Sequence, residues 1–160
     1  MRGGWVFRRA VSATSAFPAH DPLSNRSGDR HASLAGMAKL TSFRELLVWQ
    51  KSMDLADRCY RLTRRFRRDD QPVLGFEIRK CAVSIPSNIA EGFGRHHTGE
   101  YIHHLRYANG SGSELQTQLE LGRRLEIVTI DEAAILIRDA EEIGRMLHGL
   151  IRSLDRPTRG

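Results

Sequence analysis

Residues 101–122, YIHHLRYANGSGSELQTQLELG, place Tyr101, Leu105, Ala108, Gly112, Leu115, Leu119 and Gly122 at alternating steps of four and three. An α-helix turns once every ~3.6 residues, so these positions line one face of a single long helix, and no strand period fits them. Small residues at 108, 112 and 122 let a second helix approach closely along that face.

Working outward, the same reading gives three more helices. Upstream, residues 73–93 set Leu74, Ile78, Cys81, Ile85 and Asn88 on one face. Pro72 suits a first helical turn, while Pro86 falls inside the helix and is expected to kink or open it. Before that, residues 43–67 carry two adjacent apolar stripes, Leu46, Trp49, Met53, Ala56, Tyr60 and Val48, Leu55, Cys59, Leu62, Phe66. Ser42 and Glu45 read as a capping box at its start. The surplus stripe hints at an oligomer. Downstream, Thr129 and Glu132 offer a second box, and residues 131–154 present Ile137, Ala140, Gly144, Leu147, Leu150 or Ile151, and Leu154. The third helix spans 98–125. Short connections between helices of matched length predict an all-α fold, an antiparallel up-down-up-down four-helix bundle over 37–160.

Residues 1–36 are rich in Ser, Ala, Gly, Pro and Arg and show no sustained period. They read as a disordered tail or as sequence upstream of a start at Met37. The chain carries +6 in all, and five arginines against two aspartates put +3 of it in this tail, leaving +3 for 37–160. A mildly basic bundle is compatible with nucleic-acid binding without requiring it. No apolar run reaches the ~18 residues of a membrane span. The two cysteines, Cys59 and Cys81, are far apart and form no metal or redox motif, which points to a reducing, cytoplasmic setting.

Three constellations carry candidate chemistry. Ser84, Asn88 and Glu91 recur at i, i+4, i+7 on the second helix, and Ser111, Glu114 and Gln118 repeat that spacing on the third. Such polar pairs between helices bind each other and the carbonyl that Pro86 frees, or else line a partner-binding seam. Arg58, Arg61, Arg65 and Arg68 share one helical edge, with Arg64 and Arg67 beside them. Asp54 and Asp57 are placed to pair with Arg58 and Arg61. That leaves Arg64, Arg65, Arg67 and Arg68 as phosphate contacts, extended by Arg79, Lys80 and Arg95, or as complements to the helix dipole. His97, Glu100 and His104 fall at i, i+3, i+7 as metal ligands might, but no fourth ligand is in view. The pairs His96-His97 and His103-His104 flank an exposed turn, where histidines need no such role. No nucleophile triad, glycine-rich phosphate loop or zinc-protease motif appears, so neither catalysis nor a cofactor is expected.

The segment Phe43–Ala56 with its Val48-Trp49-Gln50-Lys51 core, the run Arg79–Arg95 and the block Ala108–Leu119 together resemble the four-helix-bundle proteins encoded in intervening sequences of bacterial 23S ribosomal RNA genes. The resemblance covers about 40–154 and leaves the tail outside. It implies a bundle assembling as a ring-shaped homo-pentamer. It also implies kinship with the accessory variability protein of diversity-generating retroelements, a basic pentamer thought to bind nucleic acid and a reverse transcriptase. Asn109, Gly112 and Glu77 depart from the family pattern, where a basic residue, leucine and glutamine are usual. The first weakens a nucleic-acid surface on the third helix, and the second loosens its packing.

The expected function is therefore a non-catalytic homo-oligomer that binds structured RNA or DNA through phosphates. The alternative is a scaffold that docks another protein and meets no nucleic acid.

Overall fold

The structure is a computed structural model that describes residues 40–95 and 97–155, all within the unit Met37–Gly160. The tail expected over 1–36 and the start expected at Met37 lie outside the described residues. Four helices are present, α1 (Leu47–Thr63), α2 (Phe76–Phe93), α3 (Thr98–Arg124) and α4 (Ile130–Leu154), with no strand among the described residues.

Consecutive helices pack on one another, and α4 closes back onto α1. Across the α1–α4 seam, Lys51 pairs with Glu142, Arg58 with Asp139 and Arg65 with Glu132. Rising numbers on α1 meet falling numbers on α4, so these helices run antiparallel. The same inversion relates α2 to α3, where Cys81 meets Glu114, Ser84 meets Ser111 and Asn88 meets His104.

The core is aliphatic. Leu55, Ile78, Ile85, Ile89, Leu105, Leu115, Leu119 and Leu147 are fully buried, each worth ~1.5–3 kcal/mol of transfer free energy. On α3 the buried face reads Ile102, Leu105, Ala108, Gly112, Leu115, Leu119 and Gly122, so Ile102 takes the first place expected of Tyr101. On α4 the buried residues are Ala133, Leu136, Ala140, Ile143 and Leu147. Ile137 and Gly144, expected inward, are half-buried, and Gly144 faces the Asn109 amide oxygen of α3 instead. On α1 the Val48, Leu55, Cys59, Leu62 stripe is buried with Ser52 and Thr63, while Met53 and Tyr60 of the other stripe stay exposed.

The start and end of the first helix both differ from expectation. Phe43–Glu45 form a separate 3-10 turn, because Leu46 adopts extended backbone before α1 begins. Ser42 accepts from the Arg44 N–H at 3.2 Å, but Glu45 takes the Thr41 hydroxyl at 2.6 Å rather than closing a capping box. At the other end α1 stops at Thr63, not 67. Tight i→i+3 turns there bring Phe66 inward, and the Gln71 side-chain amide donates to the Thr63 carbonyl.

A π-helical turn, Gln71–Gly75, with Pro72 in its first positions leads into α2. α2 then runs unbroken through the buried Pro86. α3 ends in a Schellman turn, with Ile127 N–H on Gly122 O at 2.9 Å and Glu126 N–H on Arg123 O at 3.1 Å. Glu126 there has φ 58°, the left-handed region that ordinarily selects glycine. Thr129 caps α4 with a complete capping box to Glu132, as the sequence spacing suggested.

Candidate nucleic-acid interface

The end of α1 and the connection to α2 gather five arginines in eight residues, Arg61, Arg64, Arg65, Arg67 and Arg68, all exposed. Their partners differ. Arg61 pairs with Asp57 at 2.8 Å, and Arg65 donates to Glu132 of α4 at 2.5 Å, which holds that carboxyl below its usual range. Arg67 lies 3.4 Å from Asp70. Arg64 and Arg68 have no acidic partner among the described residues. The i, i+4 pair expected of Asp54 and Arg58 does not form, because Arg58 turns across the seam to Asp139.

The other expected phosphate contacts fall elsewhere. Arg79 is half-buried and faces inward, donating to Gln71 Oε1 at 2.7 Å and to the Thr63 hydroxyl at 3.1 Å. Its guanidinium lies 5.9 Å from the Tyr60 ring centre. Lys80 is exposed beside Glu77 at 3.3 Å. Arg95 follows α2 at the opposite end of the helix, paired with Glu91 at 2.5 Å. At ~1.5 Å per residue, the sixteen positions between Arg79 and Arg95 put them ~24 Å apart, so they belong to different surfaces.

The charge balance sharpens this. Of 25 basic and 19 acidic residues, eight basic (Arg2, Arg8, Arg9, Arg26, Arg30, Lys39, Arg156, Arg159) and two acidic (Asp21, Asp29) lie outside 40–155, which leaves 17 of each sign within it. The described bundle has no net charge. Any attraction it exerts on phosphate is local, from the arginine cluster, rather than a field of the whole body.

The polar residues of α2 and α3 form one seam. Ser84 and Ser111 share a hydrogen bond at 2.8 Å, and the Asn88 amide donates to the Ser84 carbonyl at 2.8 Å and hydroxyl at 3.1 Å. This differs from the expectation that the carbonyl freed by Pro86 would be the acceptor. Pro86 lacks the N–H that would reach Ala82, whereas Asn88 bonds one residue pair further on. The chain of contacts continues from Asn88 to His104 at 3.5 Å and from His104 to Glu91 at 3.8 Å. Glu114 accepts from the Cys81 thiol at 3.6 Å, and Gln118 is half-buried. Gly92 makes this seam tight, since a Cβ there would stand 2.7 Å from His104 Cβ and 2.8 Å from the Tyr101 ring.

His103 bonds Tyr107 across one turn at 2.9 Å, His97 precedes α3, and His96 lies outside the described residues. No three His, Cys, Asp or Glu side chains converge as a metal site among the described residues. Burial pushes the Cys59 thiol up to about 12, and burial with Glu114 close by pushes Cys81 to about 11. Local spacing singles out neither Thr63 nor Gln71, and places Tyr60 only in an apolar stripe of the first helix. Thr63 carried a faint signal, a small hydroxyl residue breaking a run of long basic ones.

These features define a small helical-bundle protein with an arginine-clustered end and a proline-containing polar seam between its two middle helices. The chain belongs to the 23S rRNA-intervening sequence protein family, whose profile matches residues 44–149. It is similar to the crystal structure of a protein of unknown function from the S23 ribosomal protein family of Bacteroides thetaiotaomicron VPI-5482. That similarity has TM-score 0.62 and 28% identity, and covers 66% of this chain and 99% of that one. No curated protein matches the chain. No helix among the described residues is long and apolar enough to cross a membrane.

Proposed function

We propose that this chain is a non-catalytic, cytoplasmic, self-associating bundle protein that binds nucleic acid through phosphate contacts at the α1–α2 end. The observation that carries this is the pair of exposed arginines, Arg64 and Arg68, that have no acidic partner among the described residues inside a five-arginine cluster. Exposed ion pairs contribute only ~0–1 kcal/mol, so Arg65, Arg67 and Lys80 can exchange their carboxylates for phosphate at little cost. Self-association, a pentamer in the form the family resemblance implies, would bring one cluster from every subunit together and raise the local field. Leu121, Leu125 and Ile130, exposed around the α3–α4 turn, suit that contact.

The test is binding of the full chain to labelled structured RNA and duplex DNA across a salt series. Binding should weaken linearly in log–log form, with a slope of about 0.9 per phosphate contact on duplex DNA. The double variant Arg64→Glu, Arg68→Glu should lose most of it without losing helix content. Binding that survives the double variant assigns the contacts elsewhere, and no binding at low salt ends the reading.

A second reading, a scaffold that docks another protein, is favoured by the zero net charge of 40–155. It draws on the same exposed apolar cluster at the α3–α4 turn. A purified partner that binds regardless of nuclease treatment, and is lost on Leu125→Glu, would support it.

A further inference from the structure

We propose that the outer face of α1 and α2 takes up a single nucleic-acid strand, with bases stacked on Tyr60 and Phe76 and phosphates held by Arg64 and Lys80. The proposal rests on the phosphate-contact reading above and specifies which form of nucleic acid that surface selects.

Two large aromatic rings stand in solvent on this face, Tyr60 at 40% and Phe76 at 52% exposure. Arg79 reaches the first of them, its guanidinium 5.9 Å from the Tyr60 ring centre, and Phe76 lies one helical turn before Arg79 on α2. Each ring also has a cation one helical turn further on, Arg64 four residues after Tyr60 and Lys80 four after Phe76. Of the other described aromatics, Phe43 and Trp49 pack edge to face, as do Phe93 and Tyr101, and Phe66 is buried. Tyr107 is exposed, but its ring and hydroxyl are engaged by His103.

Paired helices add nothing to a surface of this kind beyond phosphate contact, because a duplex keeps its base faces stacked inside. Aromatic rings interleaved with cations instead match a single strand, which offers one π face and one phosphate per nucleotide. RNA and DNA strands share that chemistry. Arg79 completes the platform by holding the Tyr60 ring between its own cation and the solvent side where a base would lie.

The experiment uses the full chain at low salt with labelled oligouridine and oligothymidine of about 12 nucleotides and a duplex of equal length. The single strands should bind at least ~10-fold more tightly than the duplex. Tyr60→Leu and Phe76→Leu, which keep apolar bulk and remove the π face, should each weaken single-strand binding by roughly 5- to 100-fold and leave duplex binding unchanged. Tyr60→Phe should retain it. Equal binding of strand and duplex, or leucine variants that change neither, overturns the stacking proposal while the phosphate reading stands. Failure of every probe to bind removes both.

Discussion

Arg79 reaches back across the α1–α2 connection and donates to the Thr63 hydroxyl at 3.1 Å. The same nitrogen serves Gln71, whose amide in turn holds the Thr63 carbonyl. One guanidinium therefore fastens the last turn of α1 to the first turns of α2, where the backbone groups at a helix end would otherwise need water. Arg79→Ala should lower stability by about 1.5–3 kcal/mol, as for hydrogen bonds to a charged group. Urea denaturation checks it, and a loss under ~0.5 kcal/mol would show that water replaces the tie.

Two glycines should respond in opposite directions. Gly92→Ala drives a Cβ to within 2.7 Å of His104 Cβ and 2.8 Å of Tyr101, and should cost about 1–3 kcal/mol by overpacking. Gly112→Ala meets nothing nearer than Ile85 Cδ1 at 4.0 Å, and should gain about 0.5–1 kcal/mol from helix propensity. Paired thermal melts separate them, and a loss at Gly112 would mean that the α2–α3 packing is tighter than these distances show.

Glu126 holds a left-handed backbone at φ 58° with no glycine to relieve it. Glu126→Gly should stabilise the protein by about 1 kcal/mol, the usual strain of an L-residue in that region. Calorimetry showing no rise in Tm would mean that the flexibility gained by the unfolded chain offsets the relief.

Acid should loosen the α1–α4 seam. Arg65 holds the Glu132 carboxyl below its ordinary value, and Lys51 does the same to Glu142. A carboxyl depressed in the folded state stabilises it above the unfolded pKa, and that contribution is lost as pH falls through the folded pKa. Tm should therefore fall as pH drops below about 4.5, the unperturbed value. Glu132→Gln should flatten the slope. Glu120, held by Arg123 and Arg124 at about 2, pairs only with its own helix, away from this seam, and should matter little. An identical pH profile for Glu132→Gln would remove the seam as the acid-sensitive element.

Periodicity made most of the fold legible, because burial in a bundle follows the helical turn. The α3 stripe from Leu105 to Gly122 and the Thr129 capping box are of this kind. Where two stripes competed, spacing could not choose between them. On α4 the core side is Leu136 and Ile143, one residue before Ile137 and Gly144, since Gly144 is turned toward Asn109. The candidate site was legible only where side chains are free. Arg64 and Arg68 stand in solvent, but Arg79 is drawn inward by partners eight and sixteen residues away, a relationship that local spacing does not encode. Tyr60 belongs to the surplus apolar stripe of α1 and stays at the surface, because α1 carries more apolar width than its neighbours cover.

The neutrality of residues 40–155 has a practical corollary. The entire +6 of the chain resides in residues 1–39 and 156–160, so an electrophoretic field grips this protein by those two stretches and finds no net charge in the helices between them. Trimming both stretches would carry the isoelectric point from about 10.0 toward neutrality while removing none of the four described helices. Electrophoretic mobility thus measures how much of those two stretches survives, and would serve as a simple gauge of proteolytic clipping.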